Sequence, residues 1–187
     1  MHAIETERLR LEPLDASRLE EFVALTADRD AMRYWWPGGP FSRDVAERNF
    51  AASLARLRER GFGRRWIVDK ETGAGLGFTE TKYFGAGFDD VSPAEVEIGW
   101  MLTPRVWGRG YATEAGAAVR DEAFVRLELE SIVAGHHPAN SASGRVIEKL
   151  GMSFERDVVA GNGWPARLYR LTREQWESRR NATRRSP

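Results

Sequence analysis

The tightest constraint on this chain's fold is one stretch, Glu97-Ile98-Gly99-Trp100-Met101-Leu102-Thr103-Pro104-Arg105-Val106-Trp107-Gly108-Arg109-Gly110-Tyr111-Ala112-Thr113-Glu114-Ala115. It predicts a strand, a glycine loop and a helix start in immediate succession. β-Branched and aromatic residues suit the pleated surface of a strand. Glycines at 108 and 110 keep Cβ atoms away from the main chain where a ligand would approach. The Ala-bearing segment after them carries Thr113 and Glu114 in its first turn. A helix start presents N–H groups with no intrahelical acceptor, a ready seat for phosphate. The loop therefore predicts a site for the pyrophosphate of a nucleotide-containing cofactor. Arg105 and Arg109 read either as phosphate partners or as solvated surface.

With 187 residues, one domain is expected, over 1–178. The remaining residues, 179–187, hold four arginines and no apolar pattern, and predict a tail without structure. Lys plus Arg (28) balances Asp plus Glu (28), so no global field draws nucleic acid. The absence of Cys excludes disulfides, thiolate nucleophiles and Cys-built zinc sites, and points to the cytoplasm. No apolar run approaches ~18 residues, so no membrane span is expected. The charged N-terminus does not read as a signal peptide.

Alternation in Leu9-Arg10-Leu11-Glu12-Pro13-Leu14 predicts a strand. Asp15 caps a helix that ends near 28–30. Tyr34-Trp35-Trp36-Pro37-Gly38-Gly39-Pro40 is a breaker-rich loop, readable as a core plug or as a wall of a substrate pocket. Ser42 caps the next helix, with Val45, Phe50, Leu54 and Leu57 inward and Gly61 as its stop. Strands at 65–69 and 74–79 form a hairpin. Gly73, Gly75 and Gly77 resemble a dinucleotide fingerprint, but strand-like residues follow where that motif needs a helix. A turn at 85–90, a strand at 95–102, a helix at 112–127 and a strand at 131–135 follow, the last three as a right-handed crossover. A short helix at 144–150 precedes strands at 152–156 and 167–171, with a turn at 161–163 between them. Thr172 caps a final helix through Trp176.

Two motifs carry a resemblance to the GNAT acyl-CoA N-acyltransferases, and within them to the RimJ/RimL-type branch that includes ribosomal-protein N-terminal acetyltransferases. One is Arg105-Val106-Trp107-Gly108-Arg109-Gly110, similar to the superfamily's Gln/Arg-x-x-Gly-x-Gly/Ala, extended by Tyr111-Ala112-Thr113-Glu114-Ala115. The other is Asn140-Ser141-Ala142-Ser143 followed by Lys149-Leu150-Gly151-Met152. The resemblance covers residues 6–177. It implies an α/β (α+β) fold with a mixed, mostly antiparallel sheet of about seven strands flanked by helices, whose parallel strands 4 and 5 splay apart to admit pantetheine. It implies acetyl-CoA as co-substrate, no metal, and an amine acceptor that is a protein N-terminus or a small molecule. A monomer or homodimer is expected.

The implied reaction is attack of an amine on a thioester, which needs the amine without its proton. The pyrophosphate is expected on the main chain of Arg105, Val106, Trp107, Gly108, Arg109, Gly110, Tyr111 and Ala112. Met101, Leu102 and Thr103 are expected to offer main-chain bonds to pantetheine, with Asn140 as a further contact or, alternatively, a helix cap. Glu97 is the general-base candidate, because a carboxylate inside an apolar strand is costly unless it has a task or a partner. The alternative is an ion pair with an arginine on a neighbouring strand. Glu95 is the substitute base. Ile147 stands where many GNAT enzymes carry an acidic Tyr, and Ser143 matches the branch's replacement. At most one of His136 and His137 faces the cleft. Tyr34, Trp35, Trp36 and Trp164 are expected acceptor walls.

Overall fold

Local signals set most element boundaries. The computed structural model describes residues 1–35, 38–84, 95–159 and 163–185. Where one domain is expected, contacts group the chain into two compact units, residues 1–82 with 99–119 and residues 83–98 with 120–187. Trp36 and the turns at 85–90 and 161–162 lie outside the described residues.

In the first unit, β1 (Ile4–Glu5), β2 (Leu9–Pro13), β3 (Arg65–Asp69) and β4 (Gly75–Tyr83, its last residue in the second unit) pair antiparallel in that order. Two helices, and the 3-10 turn (Ala16–Arg18) that leads into a third, start at capping residues. The Asp15 carboxylate accepts from Ser17 N at 2.7 Å ahead of α1 (Leu19–Ala27). Asp28 accepts from Asp30 and Ala31 at the start of α2 (Arg29–Met32). Ser42 accepts from Val45 N at the start of α3 (Arg43–Arg60), which ends at Gly61. Each such cap satisfies an otherwise orphaned N–H, worth about 1 kcal/mol. The core gathers Phe22, Phe50, Trp66 and Phe78. Phe22 lies 5.3 Å from Phe50 and 5.7 Å from Phe78, ring centre to ring centre. Burying each ring stabilises the unit by about 1.5–3 kcal/mol. Val45 does not point inward as expected: it is 36% exposed. The inward row is Ala46, Phe50 and Ser53, at three- and four-residue spacing, and Val45 falls to one side of it.

Strand β5 (Val96–Leu102) begins in the second unit and ends in the first. At its start Phe84 N donates to Glu95 O (2.7 Å), and beyond its end Thr103 N donates to Leu76 O (2.9 Å). Gly77 is required here: its φ is +137° and a Cβ on it would fall 2.1 Å from Met101 O. Helix α4 (Tyr111–Val125) likewise passes from the first unit into the second.

In the second unit, β6 (Ser131–His136) lies parallel to β5 with Glu97 opposite Val133. Strand β8 (Pro165–Thr172) pairs antiparallel with β6, and β7 (Ser153–Val159) with β8. The strand order is β1-β2-β3-β4-β5-β6-β8-β7. That makes eight strands, against about seven expected, because the two-residue β1 is too short to leave a periodic signal. Helix α5 (Ser141–Lys149) sits between β6 and β7. The last helix, α6 (Arg173–Arg185), continues well past Trp176, so residues 179–185 are helical where a structureless tail is expected. Its start is a reciprocal cap: Gln175 N donates to Thr172 Oγ1 (3.3 Å) and Thr172 N to Gln175 Oε1 (3.0 Å). The Trp176 ring stacks on Phe124 at 5.1 Å and Arg180 lies 4.5 Å over its other side. Those contacts bind residues beyond 176 to the unit, which composition alone does not reveal.

Candidate active site

The loop after β5 turns through a single 3-10 turn (Pro104–Val106), with proline at its first position. Gly108 (φ +76°) and Gly110 (φ +81°) then take the left-handed conformation that L side chains avoid, and α4 starts at once. A Cβ on Gly108 would meet nothing within 4 Å, so the main chain there faces open space. The Glu114 N–H bonds back to Gly110 O at 3.0 Å, leaving the first-turn N–H groups before it without intrahelical partners. Open space, bare N–H groups and the positive end of a helix suit a pyrophosphate.

The two loop arginines differ. Arg105 donates to Gly75 O at 3.3 Å, which ties it back to β4. Arg109 is exposed, and its carbonyl accepts from Arg8 Nη1 at 3.0 Å. Arg8 is a third guanidinium at the loop that sequence reasoning missed. It donates from Nε to Glu114 Oε2 (2.7 Å) and from its main chain to Oε1 (2.8 Å), and its guanidinium lies 4.5 Å over Tyr111. Burial alone would raise the Glu114 pKa, but Thr6 and Arg8 outweigh it and hold the carboxyl below its ordinary range. Tyr111 donates to Asp69 Oδ2 at 3.0 Å. The Thr72 N–H and hydroxyl, then Tyr111, hold Asp69 low. These ties fix the start of α4 against β2 and β3.

The expected pantetheine rail is partly in use. Leu102 O accepts from Trp107 Nε1 (2.8 Å), and Thr103 N is committed to Leu76 O. A carbonyl keeps a second lone pair, but the Thr103 N–H has no further bond to give.

In the second unit, Glu97 is half-buried on β5 with its Oε2 shielded from solvent. Glu95 is ion-paired with Arg170, which also reaches Glu155. The carboxylate of Glu95 is thus held in an ion pair with an arginine of β8. Asn140 is the N-cap of α5, its Oδ1 accepting from Ser143 N at 3.1 Å. The cap occupies the oxygen and leaves the Nδ2 group as a donor. Ser143 is half-buried on the first turn, and Ile147 is fully buried on the next. His136 is buried, with Nδ1 2.9 Å from His137 O and its ring 5.6 Å from Tyr169. Desolvation pushes its pKa down. His137 packs on Trp164 at 4.7 Å.

The profile of the acetyltransferase (GNAT) domain family matches residues 8–153. The chain belongs to the GNAT family. The uncharacterized N-acetyltransferase YnaD of Bacillus subtilis (strain 168) is 28% identical over 94% of this chain and 99% of its own. A solved acetyltransferase from Agrobacterium tumefaciens str. C58 superposes with TM-score 0.77 at 30% identity, covering 91% of this chain and 94% of that one. The RimL ribosomal L7/L12 α-N-protein acetyltransferase, solved with coenzyme A, shares the fold at TM-score 0.71 and 17% identity, over 91% of this chain and 97% of that one. As a GNAT protein, the chain is an acyl-CoA N-acetyltransferase. Its family uses acetyl-CoA, and the glycine loop ahead of α4 fits that group's pyrophosphate.

Of the expected acceptor walls, Tyr34 is half-buried. Trp35 meets Phe78 edge-on at 5.5 Å and packs against the first unit's core, as the plug reading has it. Sequence reasoning also missed Glu80, a fully buried carboxylate on β4 bonded to Arg64 and Lys82. Period two along Thr79-Glu80-Thr81 would have flagged it as a charge inside a strand.

Proposed function

We propose that the chain acetylates a primary amine, with Glu97 as general base and the α-amino group of a protein N-terminus as the acceptor, in the manner of the RimJ/RimL branch. The observation that carries the reading is the left-handed Gly108, whose main chain faces open space just ahead of α4. Bound acetyl-CoA supplies an acetyl group activated as a thioester. The N–H groups of residues 108–113 hold its pyrophosphate, with Arg109 and Arg8 adding charge. The remaining main-chain groups of Met101 and Leu102, together with the Asn140 Nδ2 group, hold the pantetheine amides. Ser143 stands where the thiolate leaves. Glu97 takes the amine proton at its carboxylate, directly or through one water. The N-terminal acceptor is supported by the Asn140 and Ser143 motif and by the likeness in fold to RimL.

The test screens N-terminal peptides and small amines in parallel for acetyl transfer, in the wild type and in Glu97→Gln. We expect kcat to fall about 10²–10⁴-fold with coenzyme A binding retained, the usual scale for a general base. Unchanged turnover removes Glu97 from the mechanism. Transfer to small amines alone moves the acceptor to that class, and coenzyme A binding without any transfer points to an idle binding module.

A further inference from the structure

We propose that a cleft in the first unit holds a carboxylate of the acceptor, so that the preferred substrate is an amine that also bears a negative charge. This rests on the acetyl-transfer reading and specifies its acceptor.

The cleft is lined by Ser53, Arg56, Arg60, Arg64, Glu80 and Lys82, with Phe62, Gly63 and Thr81 completing its walls. Four cations thus face one carboxylate. Both oxygens of that carboxylate are engaged: Arg64 Nε donates to Glu80 Oε2 (2.8 Å) and Lys82 Nζ to Oε1 (2.7 Å). Burial would raise the Glu80 pKa, but Lys82 and Arg64 outweigh it and push it down to about 2, so it stays charged. Arg56 stands beside that cluster as a further cation. Arg56 is half-buried and donates to the Ser53 hydroxyl at 3.2 Å. Burial, and then the charge of Arg64, push the Arg56 pKa down, which is the condition an added anion would relieve. Arg64 is held rigidly by Asn49 Oδ1 (2.7 Å) and lies 4.6 Å over the Phe78 ring, so the positive wall is preorganised.

The size of the cleft selects the ligand. Its space for water-sized groups is about 20 Å³, roughly one or two such groups. That suits the head of a carboxylate rather than a whole molecule, and an arginine fork matches a planar carboxylate. Its position points to the acceptor. The Glu80 Cγ lies 3.6 Å from where a Cβ on Gly99 would stand, so the inner wall backs onto β5 two residues before Met101 of the expected pantetheine rail. A polycation would meet repulsion there.

The carboxylate could belong to a small amino acid or to an acidic residue near a peptide's N-terminus. The experiment separates these with two matched pairs, leucine against leucinamide, and amidated tetrapeptides with Glu against Gln at the second position. Acetyl transfer from acetyl-CoA to each is followed by thiol release. We expect the charged member of one pair to be favoured at least about tenfold in kcat/KM, about 1.4 kcal/mol. The pair that shows the preference identifies the source. Arg56→Gln closes the gap, chiefly by raising KM for the charged member. Arg60→Gln, at an exposed position, gives a second variant whose folding is not at stake. Transfer with equal kcat/KM within both pairs, or a preference that survives both variants, overturns the cleft while leaving acetyl transfer standing. No transfer to any member overturns both.

Discussion

Two charged features of the first unit are built in opposite ways. The loop after β5 is assembled from a single run of neighbours: two left-handed glycines, a helix start, and an indole that bonds back five residues to Leu102. The Arg64–Glu80–Lys82 cluster draws on the segment between α3 and β3 and on β4, and reaches sixteen residues along the chain for one bond. The loop meets solvent, with Trp107 53% exposed, whereas Glu80 is 4% exposed. A local anion site can remain open because the backbone that forms it needs no partner side chains. A site made of buried charges must be closed by those charges, and its stability depends on every member.

That contrast predicts where each region breaks. The largest effect is expected from Glu80→Gln, which strands Arg64 and Lys82 without their counter-charge. Removing one partner of a buried pair costs about 3–5 kcal/mol, and urea unfolding should show a loss of that order. A loss under ~1 kcal/mol would mean that the cluster is wet and the comparison wrong. The same group sharpens the contrast through pH. Its folded pKa is depressed to about 2 from an ordinary 4.5. Its contribution is therefore complete above pH 4.5 and is lost as pH falls toward 2. The acid limb of the wild type's stability profile should flatten in Glu80→Gln.

Gly110→Val tests the loop. A β-branched residue at φ +81° costs about 1–3 kcal/mol of backbone strain. We expect coenzyme A affinity by calorimetry to fall about ten- to hundredfold, a larger relative change than the melting temperature shows. The reverse pattern, intact affinity with a large drop in melting temperature, would make the loop structural rather than a binding cradle. The smallest effect is expected from Trp107→Phe, which removes one bond to Leu102 O. A single neutral hydrogen bond contributes about 1 kcal/mol, so affinity should weaken by less than about tenfold. A larger loss would show that the indole orders the whole rail.

The same distinction explains what was legible. The order of strands and helices, the caps at Asp15, Ser42 and Thr172, the stop at Gly61 and the glycine loop are all local signals, and all are present in the fold. Val45 was misplaced because helical phase depends on which neighbours cover the helix. Residues 179–185 were misread because their helix is held by Gly151, Phe124 and Trp176, which lie outside the segment. At the candidate site, Glu97 and Glu95 are indistinguishable by period-two spacing, although β5 begins only at Val96. Only the fold shows that Arg170, on β8, pairs with Glu95.

Sequence alone therefore determined the family, the strand-loop-helix cradle and the candidate base, because φ preference, capping and periodicity act within a few residues. Only the tertiary structure decided that Arg170 pairs with Glu95, that Arg8 reaches the loop, and that α3, the segment after it and β4 line one charged cleft. Charges buried by long-range pairing find their partners through the fold, and nothing in their local sequence names those partners.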